Sequence, residues 1–180
     1  MNTRGILAGV LALVLVVGAV FLWLRPGDLQ ATPDITVVTA DGRELALASL
    51  HGRPLLITFW ATTCQSCVKE IPHLIDLYRD LSPRGLEVVA IAMPYDPPSR
   101  VLAMRQARAI PYTVALDIDA DAARAFGDVR LTPTTFLIAP DGRVVYRTIG
   151  PINMDRLRQD ILAMPMHSRT IRIPTLRGHS

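Results

Sequence analysis

Short runs of consecutive apolar residues alternate with helical segments in this 180-residue chain, and this alternation most constrains its fold. The segments Leu55–Trp60 (LLITFW) and Leu86–Ala92 (LEVVAIA) each predict a strand that is covered on both faces. Between them, Cys64–Leu81 carries apolar residues from Ile71 at the i, i+3, i+4, i+7 spacing of one helix face. Buried strands joined by helices are typical of an α/β fold.

The remaining strands and helices are predicted from alternating apolar residues and from helical spacing of apolar residues. Alternation around Asp41-Gly42 and around Asp141-Gly142 predicts two hairpins, one of them N-terminal. The sequence therefore predicts an α/β sandwich with a central mixed sheet flanked by helices. The other predicted strands are Ile35–Thr39, Glu44–Ala48, Thr113–Leu116, Thr134–Ala139 and Arg143–Thr148, and the other helices are Ser99–Ala109, Ala120–Phe126 and Met154–Met164.

Composition excludes two classes of protein. Half of the residues are hydrophobic and 19% are charged, which excludes a wholly disordered chain. The net charge of +3 is small and spread along the chain, so we expect no nucleic-acid partner.

Residues 5–24 form an uncharged apolar run of 20 residues. As a helix, this run spans about 30 Å, the thickness of a bilayer core, and predicts an uncleaved N-terminal transmembrane anchor. A cleaved signal peptide, with a weak site at Val17-Gly18-Ala19, and a buried soluble helix are the alternatives. Arg4 and the amino terminus lie on one side of the run, and Arg25 and Asp28 lie on the other. The positive-inside rule favours the amino terminus in the cytoplasm, so we expect the body of the chain outside it, which in a bacterium is the periplasmic side of the inner membrane.

The predicted organisation has four parts. Residues 1–25 form the membrane anchor, residues 26–33 a linker, residues 34–164 one domain and residues 165–180 a mobile tail.

The chain contains two cysteines, in Cys64-Gln65-Ser66-Cys67, directly after a predicted strand and at the start of a helix. A structural disulfide would close a loop too small to remove much unfolded-state entropy. A zinc site needs four ligands, and only His51 and His73 lie near in the sequence. A redox dithiol fits the spacing best.

The position of the pair assigns a role to each cysteine. Cys64 at a helix N-terminus is favoured as a thiolate, because free N–H groups and the helix dipole stabilise negative charge there. We expect Cys64 to be exposed and to attack a partner disulfide. Cys67, almost one turn further on, is expected to be more buried and to resolve the mixed disulfide.

Three segments resemble a known family. Residues 59–72 (FWATTCQSCVKEIP) resemble the active-site segment of membrane-anchored thioredoxin-like proteins of the TlpA/ResA type, in the AhpC/TSA-redoxin superfamily. Residues 131–138 (LTPTTFLI) resemble the cis-proline segment of that family, and residues 85–90 its strand with an acid behind the active site. The resemblance implies a thioredoxin-like sandwich over residues 33–163, with Ser99–Leu116 as an inserted helix–strand unit.

The resemblance also implies site residues. It implies a cis Thr132–Pro133 bond, which turns the Thr132 backbone toward the dithiol to pair with an extended substrate. Glu87 is expected to be a buried carboxylate that exchanges protons with Cys67, or else an acid at a strand end that reaches solvent. Trp60 is expected to be both core and a wall beside the dithiol that contacts substrate.

Two features depart from the family pattern. Thr63 replaces a tryptophan often found before the first cysteine, which removes an aromatic platform and is expected to change partner choice. The dipeptide Gln65-Ser66 lacks the proline often found between the cysteines.

These observations predict a monomeric disulfide reductase that shuttles between a Cys64–Cys67 disulfide and dithiol, with no cofactor or metal. The resemblance implies protein substrates, either cytochrome c maturation or copper-delivery proteins, and a membrane-embedded thiol reductase as electron donor. Two rivals are a copper chaperone that uses both cysteines with His73, and a peroxiredoxin-like peroxidase, which requires a proline before Thr63 that this chain lacks.

Overall fold

The computed structural model describes residues 13, 14, 16 and 31–165. The chain divides into compact units over residues 1–30 and 31–180. In the first unit, Leu13, Val14 and Val16 are helical. The predicted anchor, the first part of the linker and almost all of the tail otherwise lie outside the described residues. Among the described residues, no helix meets the length and hydropathy needed to cross a bilayer.

The second unit contains seven strands and four α-helices in its described part. Two 3-10 helices, at Leu47–Leu50 and Ser82–Arg84, complete the connections. The strands are β1 (Thr36–Thr39), β2 (Glu44–Ala46), β3 (Leu55–Trp60), β4 (Glu87–Ala92), β5 (Thr113–Leu116), β6 (Thr134–Ile138) and β7 (Val144–Ile149). The helices are α1 (Gln65–Leu81), α2 (Pro98–Ala107), α3 (Asp121–Ala125) and α4 (Met154–Leu162).

All seven strands form one mixed sheet in the order β2-β1-β5-β4-β3-β6-β7. The central strands β3, β4 and β5 are parallel, because helical crossovers connect them. The hairpins β1–β2 and β6–β7 are antiparallel and form the two sides of the sheet. Strand β6 also pairs antiparallel with β3, so its amino end lies at the same sheet edge as the carboxyl end of β3. The predicted mixed sheet is confirmed.

The sheet is covered on both faces, as the continuous apolar strands predict. On one face, Leu56 and Trp60 of β3 join a core cluster with α1, the buried Val101 of α2, and α4. On the other face, Phe59 packs against Phe126, after α3, and Phe136, with ring centroids 5.0–6.1 Å apart. The sheet is therefore fixed between two apolar layers, and its carboxyl edge is a rigid support for a site.

The element boundaries differ from the sequence-based prediction mainly at chain reversals. Strand β2 ends at Ala46, because the next four residues form a 3-10 helix that buries Leu47. Helix α2 ends at Ala107 instead of Ala109, since Ala109 has a left-handed φ of 47° that cannot continue a helix. The helix and strand predicted within residues 99–116 are present as α2 and β5, and β5 lies between β4 and β1.

Candidate active site

The cysteine pair lies where β3 runs into α1. Cys64 is the N-cap of α1, its Sγ accepts a hydrogen bond from the Cys67 N–H at 3.2 Å, and its C=O accepts from the Val68 N–H. The structure is in the oxidised state, with a Cys64–Cys67 disulfide whose Cα atoms are 5.3 Å apart. The Cys67 N–H, together with the dipole of α1, would stabilise a Cys64 thiolate after reduction.

The two sulfurs differ in access to solvent. Cys64 is half-buried, whereas the side chain of Cys67 is 4% exposed and belongs to the core cluster. The Ser66 hydroxyl lies 3.3 Å from the Cys64 sulfur. The expected division is confirmed at the level of exposure: a partner can reach Cys64, and Cys67 lies beneath it.

A buried carboxylate fixes the turn that leads into Cys64. Asp96, 5% exposed in the loop after β4, accepts hydrogen bonds from the Thr62 N–H and the Thr62 hydroxyl, both at 2.6 Å. The turn closes with a hydrogen bond from the Cys64 N–H to the Ala61 C=O. The loop after β4 therefore positions the nucleophile through two hydrogen bonds, a role that the sequence did not indicate for Asp96.

The Thr132–Pro133 peptide bond is cis, as the resemblance implies. Pairing of β6 with β3 begins at Thr134, so the Thr132 backbone takes no part in the sheet. The Thr132 hydroxyl lies 3.5 Å from the hydroxyl of Tyr95, whose side chain is 59% exposed. Thr63 is exposed as well. This edge offers free backbone groups and one aromatic ring to a partner.

A small cavity lies behind the dithiol. Its lining includes Trp60, Cys67, Glu70, Tyr112 and Pro133, and it is just large enough for one water molecule. Among the described residues, the Trp60 Nε1–H is the buried side-chain polar group that lacks a hydrogen-bond partner. A water molecule in the cavity could satisfy such a donor.

Glu70 is the ionisable group nearest in sequence to Cys67 in this cavity. It is 7% exposed, and its Oε1 accepts a hydrogen bond from the Ile152 N–H at 2.6 Å. Burial raises the pKa of Glu70, although the Ile152 N–H and His73 act in the opposite direction. Burial, and then the Glu70 charge, raises the pKa of Tyr112, so the phenol stays neutral. Glu70 is therefore a carboxyl group that can exchange a proton beside Cys67.

The expectations for two residues need correction. Glu87 pairs with Leu55 at the amino end of β4, whereas the dithiol follows the carboxyl end of β3. The Glu87 carboxylate accepts a hydrogen bond from Arg53 at 2.8 Å, so it is the acid at a strand end and not the partner of Cys67. Trp60 is 4% exposed, so it is a buried wall of the cavity without surface for substrate.

Sequence reasoning missed Glu70, although a signal was present. Glu70 follows Cys67 by three residues and precedes Leu74 by four, which places it on the buried face of α1. A charged residue on an apolar helix face, one turn from a redox cysteine, is the pattern that identifies it.

The described residues contain no group of three or more His, Cys, Asp or Glu side chains that could hold a metal ion. His73 is exposed and follows Cys67 by six residues, about 240° around the helix. It therefore does not lie on the same face of α1 as Cys67. A copper chaperone that used both cysteines and His73 would require these side chains to lie on one face.

Comparison with known proteins agrees with this geometry. Residues 27–161 match the Redoxin family model. The chain is 32% identical to the thiol-disulfide oxidoreductase ResA of Bacillus subtilis strain 168, over 66% of this chain and 65% of that protein. It is 26% identical to ResA of Bacillus thuringiensis subsp. konkukian, over 88% of this chain and 96% of that protein.

Solved structures lead to the same family. A thiol:disulfide interchange protein of the thioredoxin family from Chlorobium tepidum TLS superposes with a TM-score of 0.69 at 26% identity. The match covers 78% of this chain and 99% of that one. The cysteine pair at the N-terminus of α1 and the cis-proline segment lie within residues 27–161. The chain belongs to the redoxin family, as a thioredoxin-like thiol–disulfide oxidoreductase of the TlpA/ResA type.

Proposed function

We propose that this protein is a periplasmic, membrane-anchored reductase of disulfides in selected partner proteins. The observation that carries the proposal is the half-buried Cys64 at the N-cap of α1, with the buried Cys67 behind it and the unpaired Thr132 edge near the dithiol. Such a site can accept an extended protein segment and exchange one disulfide with it.

The reaction begins from the reduced pair. The Cys64 thiolate attacks one sulfur of the partner disulfide, which forms a mixed disulfide and releases the second partner cysteine as a thiolate that takes up a proton. The Cys67 thiol loses its proton, and its thiolate attacks the Cys64 sulfur. The partner leaves with both cysteines reduced, and two electrons have moved from this protein to the partner. The product is the Cys64–Cys67 disulfide seen in the structure.

Glu70 supplies a base for the second step. Cys67 is buried, and burial in apolar surroundings disfavours its thiolate, so proton removal limits its attack. Glu70 and Cys67 line the same cavity, and a water molecule there would connect the carboxylate to the thiol. The pKa of Glu70 is raised, which brings it closer to the pKa of a thiol. A smaller difference between the two pKa values favours proton transfer from Cys67 to Glu70.

Thr132 and Tyr95 form the substrate edge. The Thr132 N–H and C=O lie next to Pro133, which lines the cavity with Cys67. An extended segment around the target cysteine would add to this edge through backbone hydrogen bonds, which select no sequence. Tyr95 offers an exposed ring beside Thr132, where Thr63 does not supply one.

The N-terminal apolar run supports the proposed location and the proposed source of electrons. A reductase outside the cytosol needs a donor, and a thiol reductase embedded in the membrane fits an anchored protein. The family resemblance suggests apocytochrome c cysteines or the thiols of a copper-delivery protein as substrates.

Trapping of partners tests the proposal. Cys67→Ser leaves the mixed disulfide at Cys64 unresolved, so we expect covalent complexes that a reductant releases and mass spectrometry identifies as periplasmic proteins with paired cysteines. The double variant Cys64→Ser/Cys67→Ser is the control and should trap nothing. Absence of any complex with Cys67→Ser, or no reduction of peptide disulfides by the wild type, would contradict the proposal.

A further inference from the structure

A shallow, open groove begins beside the residue before the nucleophile and runs along α2. One wall is the turn of Thr62 and Thr63, directly before Cys64. The other wall is α2, which contributes Arg100, Met104 and the C-cap Arg108, with two alanines between them. These positions follow i, i+4, i+8 and so lie on one helix face. We call this surface the basic groove.

The charge of the basic groove is not neutralised by the described part of the protein. Arg100 and Arg108 are exposed, and neither forms an ion pair with a described carboxylate. Helix α2 contains no Asp or Glu. Seven of the thirteen described arginines lie within 4 Å of a carboxylate oxygen, whereas Arg79 and Arg84 resemble Arg100 and Arg108 in having no such pair. Asp96, which also lies near Thr62, is buried and uses both oxygens on that residue.

Between the two arginines, the α2 wall of the groove consists of small and apolar side chains, and we call this part of the wall the floor of the groove. The two alanines leave space between the arginines, and Met104 adds a flexible apolar side chain that packs against the core cluster. An uncharged floor with a cation at each end suits a peptide segment better than a small anion, which would need its donors to converge on one point.

We infer that the basic groove binds an acidic segment of the protein partner, next to the cysteine that Cys64 attacks. This inference rests on the proposed function and adds the chemical class of the partner. Arg100 and Arg108 are separated by about 12 Å along the helix axis, which an extended peptide covers in about four residues. The partner that fits carries Asp or Glu at two positions about four residues apart, close to its reactive cysteine.

An anionic membrane surface is the competing source of negative charge. The groove favours a peptide, because its wall contains Thr63, the residue before Cys64, and a segment bound there is directed toward the sulfur.

Reduction of matched peptides by the full-length chain tests the inference. Three peptides share one internal disulfide and differ only at two flanking positions, which are Asp, Asn or Lys. We expect the acidic peptide to be reduced about tenfold faster than the neutral one at low ionic strength, and the lysine peptide to be slowest. At 0.5 M NaCl the preference should fall several-fold, because the Debye length shortens.

Charge reversal locates the effect. Arg100→Glu/Arg108→Glu should remove the acidic preference or invert it, and Arg100→Gln/Arg108→Gln should weaken it. Arg79→Glu/Arg84→Glu changes the net charge equally at the far end of α1 and should keep the preference. Equal wild-type rates for the three peptides, or a preference kept after reversal in the groove, would overturn the inference.

Two further outcomes separate the competing explanations. A wild type that reduces none of the peptides overturns the proposed function, and the inference with it. A groove variant that keeps the peptide preference, but whose partition into phosphatidylglycerol vesicles no longer exceeds its partition into phosphatidylcholine vesicles, overturns the inference in favour of membrane contact, because the proposed anchor contributes equally to both partitions.

Discussion

At the scale of single residues, the two cysteines differ by their place on one helix. Cys64 caps α1 and is half-buried, whereas Cys67 lies inside with 4% exposure. We expect iodoacetamide to alkylate Cys64 of the reduced protein more than tenfold faster than Cys67 at pH 7. The helix N-terminus favours the thiolate of Cys64, and Cys64 is also the more exposed of the two cysteines. Peptide mapping after a short iodoacetamide pulse measures the ratio. Faster alkylation of Cys67 would reverse the assignment.

Glu70 makes the free energy of unfolding depend on pH, and the burial of its carboxyl group determines the sign of this dependence. Its pKa is raised in the folded protein, so the unfolded chain ionises first as the pH rises. Below about pH 4 both states hold the proton and Glu70 has no effect; above this the free energy of unfolding falls until the pH passes the raised pKa. Glu70→Gln in the oxidised protein should flatten this fall above about pH 4, as measured by urea unfolding at a series of pH values.

Glu87 provides the matched control for Glu70. Both are glutamates, but Glu87 lies at the other end of the sheet and pairs with Arg53. Glu70→Gln should slow resolution of the mixed disulfide and shift the pH dependence of Cys67 reactivity, whereas Glu87→Gln should leave that pH dependence unchanged. A pH profile that responds to Glu87→Gln and not to Glu70→Gln would restore the role first expected of Glu87.

At the scale of elements, the loop after β4 holds the turn before α1. Asp96→Asn keeps an amide oxygen for the Thr62 N–H, but its NH2 replaces the acceptor of the Thr62 hydroxyl and both bonds lose the carboxylate charge, so we expect a loss of about 1–2 kcal/mol in the free energy of unfolding. Thr62→Val removes only the hydroxyl bond and should cost about 1 kcal/mol. The exposed Asp119→Asn is the control, with an effect within about 0.5 kcal/mol. Equal stability of all three variants would show that the hydrogen bonds between Asp96 and Thr62 do not stabilise the turn before α1.

The sequence predicts elements better than it predicts their partners. Every described strand and α-helix has a counterpart in the periodicity analysis, because apolar runs and helix faces are local patterns, whereas the two 3-10 helices have none. The Thr62–Asp96 contact spans 34 residues, and no local pattern encodes it. Glu87 was misread for the same reason: the resemblance matched an acid to a strand, but the pairing of Glu87 with Leu55 places it at the far edge.

At the scale of the whole molecule, strand direction assembles the site. Parallel pairing of β3 with β4 sets Trp60 beside Ala92, so the dithiol and the Asp96 loop leave the sheet at one edge. Antiparallel pairing of β6 brings its amino end, and with it Pro133, to the same edge. Three segments remote in sequence therefore meet because the sheet is mixed, which a wholly parallel sheet would not achieve.

The proposed anchor sets where this edge can act. The apolar run of residues 5–24 has the length of a bilayer core, so we expect the full chain to stay in the membrane fraction after an alkaline carbonate wash. A chain that begins at Ala31 should be recovered in the soluble fraction with the same disulfide exchange rate on the neutral peptide. Val14→Arg/Val16→Arg should release much of the full chain, since each central arginine costs about 2.5–3.5 kcal/mol in membrane insertion. Mature protein that is free and shortened past Ala19 would show cleavage instead of anchoring.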